Sequence, residues 1–369
     1  MKAKRIVSLV LVVLLLCTLA PATFASTGKV KANDLYILSK ECPEELEEYA
    51  EGVLGTVLRN ENIATPYIGT PFTFSNQDSD VYYFPIYSNG KIVLTFRVYL
   101  GSDGEPTGVL SPMLAEELNA IAPKTSAANP LRIVYETVGN QATISFRQNN
   151  YEMVVHTNYD AAATVPYVAA TASDGAIVVN SVPTARIQVA SATRTNRVLT
   201  WDPTFENQGS ENWCLAFCTA AVMRYAGFST KRAADVMQEI YGTNVTSDTV
   251  MRRVDLVPYM QEYDFLTIQS AAYPSITNVR SMIAYEILGS RPVILNMYNE
   301  NYNEDADTDD QHSNHAIVAV GYDDVYRTVT IWNPWYPYLE EVLDLAHYVP
   351  LEHRSYEFNP VEYWYNNCR

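Results

Sequence analysis

Residues 214–225, Cys-Leu-Ala-Phe-Cys-Thr-Ala-Ala-Val-Met-Arg-Tyr, constrain the fold more than any other stretch of the chain. The run predicts a helix ended by Gly227. Leu215, Phe217, Ala220, Ala221 and Val222 make that helix apolar nearly all round. A helix with no polar face must be wrapped by other elements. The following sequence supplies the wrapping, with helices predicted near 231–240, 247–261 and 277–288 and strands at 292–297, 315–321 and 329–332. Helices first and an antiparallel sheet after is an α+β domain.

A second region precedes this one. At 369 residues the chain exceeds one small core. All five tryptophans follow residue 200, and four of the five histidines follow residue 300. The change falls at 183–200, a small and polar stretch carrying Arg186, Arg194 and Arg197, which reads as an exposed linker. Upstream, Pro43, Glu44 and Glu45 open a helix. Its Leu46, Tyr49, Ala50, Val53, Leu54, Val57 and Leu58 share one face. Strands are predicted at 81–87, 92–100, 131–137, 143–146, 153–156 and 176–180, with Asn89-Gly90 as a hairpin turn. One helix on a curled antiparallel sheet is the expectation, and His156 reads as a structural histidine in a strand.

The first 25 residues are of another kind. Lys2, Lys4 and Arg5 precede an apolar run at 6–20, and Ala22-Thr23-Phe24-Ala25 follows. This is the layout of a secretory signal cut after Ala25, which implies an extracellular product with no membrane span after cleavage. The chain carries 25 Lys and Arg against 42 Asp and Glu, and three of the basic residues lie in that leader. So acidic a surface repels phosphate backbones, which excludes nucleic acid as a partner. The five cysteines, at 17, 42, 214, 218 and 368, are too sparse for a disulfide scaffold and lack a metal-binding Cys-x-x-Cys pair. An exported cysteine without a partner is then a reactive thiol, although a Cys42–Cys368 bridge stays open on sequence grounds.

Cys214 is the candidate nucleophile. At the first turn of a helix, orphan N–H groups and the positive dipole end favour the thiolate. Cys218, one turn further in, reads as a small core residue. Gln208, six residues upstream, can donate its amide to an oxyanion together with the Cys214 N–H, and Gly209 and Ser210 let the chain turn between them. Two histidines could serve as base. His315 opens the apolar strand at 316–320, which would hold it rigidly, whereas His312 sits in a loop after an acidic stretch, so His315 is preferred. Asn333 closes the next strand; its amide oxygen can accept from the imidazole and set its tautomer, with Trp332 and Trp335 flanking it. The acidic loop at 299–311 contains Asp305, Asp307, Asp309 and Asp310 but lacks the EF-hand glycine and closing glutamate, and reads as a solvated loop. No metal or other cofactor is expected.

The order Gln208, Trp213-Cys214, His315-Ala-Ile-Val-Ala-Val-Gly-Tyr322, Asn333 resembles the papain-like cysteine proteases. Ile331-Trp-Asn-Pro-Trp335 and the aromatic C-terminus at 353–365 resemble the staphopain branch of that family, secreted by Gram-positive bacteria. The resemblance covers roughly 200–369. It implies a papain-like catalytic domain with a central nucleophile helix and a sheet or half-barrel. It also implies Cys214 as nucleophile, His315 as general base and acid, Asn333 as orienter and Gln208 as oxyanion donor. Staphopain precursors carry a β-rich propeptide that blocks the cleft. The expected organisation is therefore a signal at 1–25, an inhibitory propeptide at 26–195 and a protease domain at 196–369, monomeric and acting on protein or peptide substrates. Three alternatives remain: a papain-fold amidase acting on cell-wall peptides, a non-catalytic binding module of the same fold, and an adhesion or inhibitor domain at 26–195.

Overall fold

The computed structural model describes residues 32–59, 61, 63–75, 80–138, 141–149, 151–157, 176–189, 196–209, 211–299, 315–323, 328–350 and 358–368. The leader, Ser210, His312 and the acidic residues Asp305, Asp307, Asp309 and Asp310 lie outside them.

The helices are α1 (Glu44–Val57), α2 (Ala115–Ile121), α3 (Cys214–Tyr225), α4 (Ala233–Tyr241), α5 (Arg253–Glu262) and α6 (Ile276–Leu288). The strands up to residue 200 are β1 (Tyr36–Ser39), β2 (Tyr67–Gly69), β3 (Tyr82–Ser88), β4 (Lys91–Leu100), β5 (Pro106–Ser111), β6 (Arg132–Val138), β7 (Gln141–Gln148), β8 (Tyr151–Thr157), β9 (Ile177–Asn180), β10 (Pro183–Arg186) and β11 (Asn196–Val198). After it come β12 (Ile268–Gln269), β13 (Val293–Asn299), β14 (His315–Asp323), β15 (Thr328–Trp332), β16 (Leu339–Val342) and β17 (Phe358–Tyr365). All paired strands run antiparallel, and the fold is α+β with a papain-like second half.

Helix α3 is wrapped as its sequence demands: every residue from Cys214 to Met223 is buried. Val236 and Met237 of α4 and Leu256 and Met260 of α5 pack around it, with Ile294, Ala316, Val318 and Trp364 from the sheet closing the other side. Strand β14 is buried along its whole length. Its alternation sends Ala316, Val318 and Val320 toward α3 and Ile317 and Ala319 into a second core.

The two halves are not separate bodies joined by a tether. Strand β5 of the first half pairs with β16 of the second, Leu110 opposite Glu341 and Val109 opposite Val342. One twelve-stranded sheet therefore runs β10-β2-β3-β4-β5-β16-β15-β14-β13-β17-β12, with β11 paired to β14. Helix α1 lies against the first half of this sheet and closes a local core of Leu46, Leu54, Phe84, Phe96 and Leu110. A further core is shared: Leu35, Phe72, Tyr83 and Phe146 belong to the same buried cluster as Ile283, Leu295, Ile317, Tyr336 and Tyr348.

The structure corrects the sequence reading in three places. The described parts of the 183–200 stretch, 183–189 and 196–200, are not a bare linker, since β10 pairs with β2, Ile187 is buried, and β11 pairs with β14, while Arg194 lies outside the described residues. Short polar segments can complete a sheet edge through backbone hydrogen bonds alone, which leaves little apolar pattern to read. The first half has a second helix, α2, too short to give a clear period. Cys42 and Cys368 are both free, as are Cys214 and Cys218, so the bridge left open by the sequence is absent. Among the described residues no helix is long and apolar enough to cross a membrane.

Candidate functional site

Trp213 leads into α3. Its indole N–H donates to the Thr246 carbonyl (3.0 Å), and the Asn212 N–H donates to Ser247 (2.8 Å), which anchors the approach to the helix. Cys214 is the first helical residue and is buried. The backbone N–H groups of Ala316, Leu215 and Cys214 itself lie near enough to its sulfur to favour the thiolate. Ala316 follows His315 directly, so the thiol sits against the end of β14 that carries the histidine. Burial pushes the Cys214 thiol up to about 11, with those three N–H groups opposing it. Burial, and then the neighbouring Cys214, pushes the Cys218 thiol well above its usual range; Cys218 is fully buried in the α3 core.

His315 is 1% exposed. Its Nε2 lies 3.0 Å from Asn333 Oδ1. The Trp335 backbone N–H also reaches that oxygen (3.1 Å), and a backbone N–H can only donate. The amide of Asn333 is thereby oriented with its oxygen toward the imidazole, and His315 Nε2–H is the donor. The Asn333 Nδ2 group points the other way and donates to the Tyr348 hydroxyl (3.0 Å). Trp335 stacks on the imidazole, with centroids 3.7 Å apart and planes 9° from parallel, and Phe358 meets it edge-on at 6.1 Å. Trp335 thus covers the His315–Asn333 pair. Trp332 does not: it is fully buried against Trp201 and donates to the Pro203 carbonyl.

Gln208 is held beside the same loop. Its backbone N–H donates to the Pro334 carbonyl (2.9 Å), and Asn207 Nδ2 reaches the Trp335 carbonyl (2.9 Å). The Gln208 side chain is buried and its Nε2 donates to the Glu211 carbonyl (2.6 Å). One Nε2 hydrogen is committed there, which leaves the second for an acceptor near the start of α3. Gly209 makes the intervening turn at φ +59°, where a side chain is disfavoured.

The structure therefore brings Gln208, Cys214, His315 and Asn333 to one place, at the start of α3, the start of β14 and the end of β15. The local sequence reading missed Tyr348, which stands in no motif, and gave no role to Phe358 within the aromatic stretch at 353–365. Among the described residues no group of His, Cys, Asp or Glu side chains is placed to hold a metal ion.

A helix-borne thiol and an imidazole–amide pair thus lie at the starts of α3 and β14. Residues 200–353 match the model of the Peptidase_C39 like family, which supports a cysteine peptidase. No curated protein matches the chain.

Proposed function

We propose that the chain is a cysteine endopeptidase of the staphopain type, exported through its leader and made as a precursor. The observation that carries this reading is the Cys214 sulfur beside Ala316 N–H, next to a His315 whose Nε2–H is held by Asn333. In this reading His315 takes the proton of Cys214, and the sulfur attacks the carbonyl carbon of the scissile peptide. The Cys214 N–H and the Gln208 amide stabilise the oxyanion. His315 then gives its proton to the departing amine, leaving an acyl-enzyme. Water deprotonated by His315 breaks the thioester and restores the thiol. Asn333 holds the imidazole in the tautomer that serves both steps.

The first half acts as the intramolecular inhibitor in this reading. Cys214 is 6% exposed, within a core built from second-half residues. From β8, His156 packs on Tyr336 (centroids 5.9 Å), the residue after the Trp335 that covers His315. The chain works as a monomer on protein or peptide substrates.

The test uses the full chain and its Cys214→Ala variant. Secreted wild-type protein, once cut between its halves, hydrolyses a denatured protein substrate and takes one equivalent of a thiol-directed epoxide, at Cys214. Activity that persists in the Cys214→Ala variant, or labelling at Cys42 or Cys368 instead, rules the reading out.

A further inference from the structure

Arg97 lies on β4 in the first half, yet it connects to His315 by a buried path of one long ion pair and three hydrogen bonds. Its Nη2 is 3.9 Å from Glu340 Oε1. Glu340 Oε2 accepts from the Tyr348 hydroxyl (2.6 Å), the Tyr348 oxygen accepts from Asn333 Nδ2 (3.0 Å), and Asn333 Oδ1 accepts from His315 Nε2 (3.0 Å). All five side chains are at least nine-tenths buried. β4 also grips the backbone on both sides of Tyr348. Arg97 Nη2 donates to the Val349 carbonyl, the Tyr99 hydroxyl donates to the His347 carbonyl (2.8 Å), and the Val349 N–H donates to the Tyr99 oxygen (3.1 Å).

The path has a direction. A carboxylate only accepts, so the Tyr348 proton points at Glu340. The Tyr348 oxygen is then left to accept from Asn333, which turns the amide oxygen to His315 and places the imidazole proton on Nε2. Each link fixes the next.

We infer that Arg97 and Tyr99, through Glu340, Tyr348 and Asn333, are positioning residues for His315, so that the first half helps to set the tautomer of the candidate base. The inference rests on the cysteine peptidase reading for its meaning but not for its test. Removing Arg97 takes a cation from a carboxylate in a dry site, where a proton or water then has to compensate it. A protonated Glu340 can donate to Tyr348, which reverses the first link and leaves the Trp335 N–H as the main hold on the Asn333 amide. The charged and titratable groups facing Arg97 are Glu340, Tyr83, Tyr99 and Tyr336; those facing Tyr348 are Glu340 and Arg97. Burial, then the Glu340 carboxylate, pushes the Tyr348 phenol well above its usual range, so it stays a hydroxyl throughout.

The test reads the tautomer directly in the uncut chain, by long-range proton–nitrogen NMR of histidine-labelled protein, with His315→Ala assigning the signal among five histidines. Wild type should give a single Nε2–H pattern for His315. Arg97→Met and Tyr348→Phe should each lose it, shifting the ring nitrogens to a mixed-tautomer position, and Arg97→Lys should restore most of it. A displaced wild-type tautomer, or unchanged His315 signals in folded Arg97→Met, overturns the inference. If Arg97→Met does not fold, Tyr99→Phe and Tyr348→Phe report on the same path, and wild-type signals in both overturn it equally. None of these readouts needs proteolysis, so failure here is distinguishable from failure of the peptidase reading, which Cys214→Ala decides.

Discussion

The Arg59 guanidinium sits 2.6 Å from the Asp323 carboxylate, with both side chains more than nine-tenths buried. Arg59 follows α1 in the first half, and Asp323 ends the strand that His315 begins. A buried pair of this kind is costly to break from one side, because the remaining charge has lost its compensation. We expect Arg59→Ala to lower the stability of the full chain by about 3–5 kcal/mol, measured by urea denaturation. The double change Arg59→Met with Asp323→Leu should recover most of that loss. Equal losses in the single and double variants would mean the charge pair is not what holds this contact.

His315→Ala should leave a cut preparation nearly inert toward peptide substrates, since no neighbouring group takes its place in proton transfer. Gln208→Ala should reduce kcat by about 10²–10³, the scale of losing one oxyanion donor. His312→Ala should retain most activity. A dead His312→Ala beside an active His315→Ala would reverse the choice of base.

The acid–base state of Cys214 gives a pH signature. Its thiol is pushed up to about 11 by burial. A group whose folded value is raised contributes stability below its unfolded value, ~8.5 for a thiol, and loses that contribution as pH rises through the folded value. The uncut chain should therefore lose stability between about pH 8.5 and 11, and Cys214→Ser should lose less over the same window. Alkylation of Cys214 in the uncut chain should be slow at neutral pH and rise ~tenfold per pH unit with the thiolate fraction. After cutting and release of the first half, the rise should begin nearer neutrality. A flat profile in the uncut chain would contradict a buried neutral thiol.

Gly108 on β5 offers a test of the seam between the halves. A Cβ there would meet the Arg97 carbonyl oxygen at 2.7 Å and the Phe96 ring at 2.7 Å, and the Gly108 carbonyl accepts from Leu343 N–H across the seam (3.1 Å). Gly108→Val should loosen β5 from β16, which hydrogen exchange at residues 339–343 would register as lost protection. Unchanged protection there would show that the seam tolerates the added bulk.

Much of the second half was legible because its signals are local. The apolar girth of 214–225 needs no partner to announce a central helix, and the run after His315 declares a buried strand. Cys214, His315 and Asn333 each carry their clue in adjoining residues. The seam was not legible, because β5 and β16 meet across more than 200 residues and neither segment encodes the other. Arg97 was hidden for the same reason: it reads as one arginine on a half-buried strand until the fold sets it beside Glu340. The strands at 183–186 and 196–198 were concealed by polar composition, since edge pairing spends backbone groups rather than apolar side chains.

The shared sheet and shared core also bear on timing. Hydrolysis of one peptide bond between the halves removes a covalent link but none of the strand pairing at β5–β16 and none of the buried surface around Phe146 and Tyr336. The nicked chain is then a tight two-piece complex, and its pieces part at a rate set by unzipping rather than by scission. Catalytic output after cutting should show a lag that lengthens with protein concentration, as freed pieces re-anneal, and shortens on dilution. If the chain is a precursor as proposed, it would keep a memory of its uncut form, with the delay between cleavage and activity set by the strand order of its sheet.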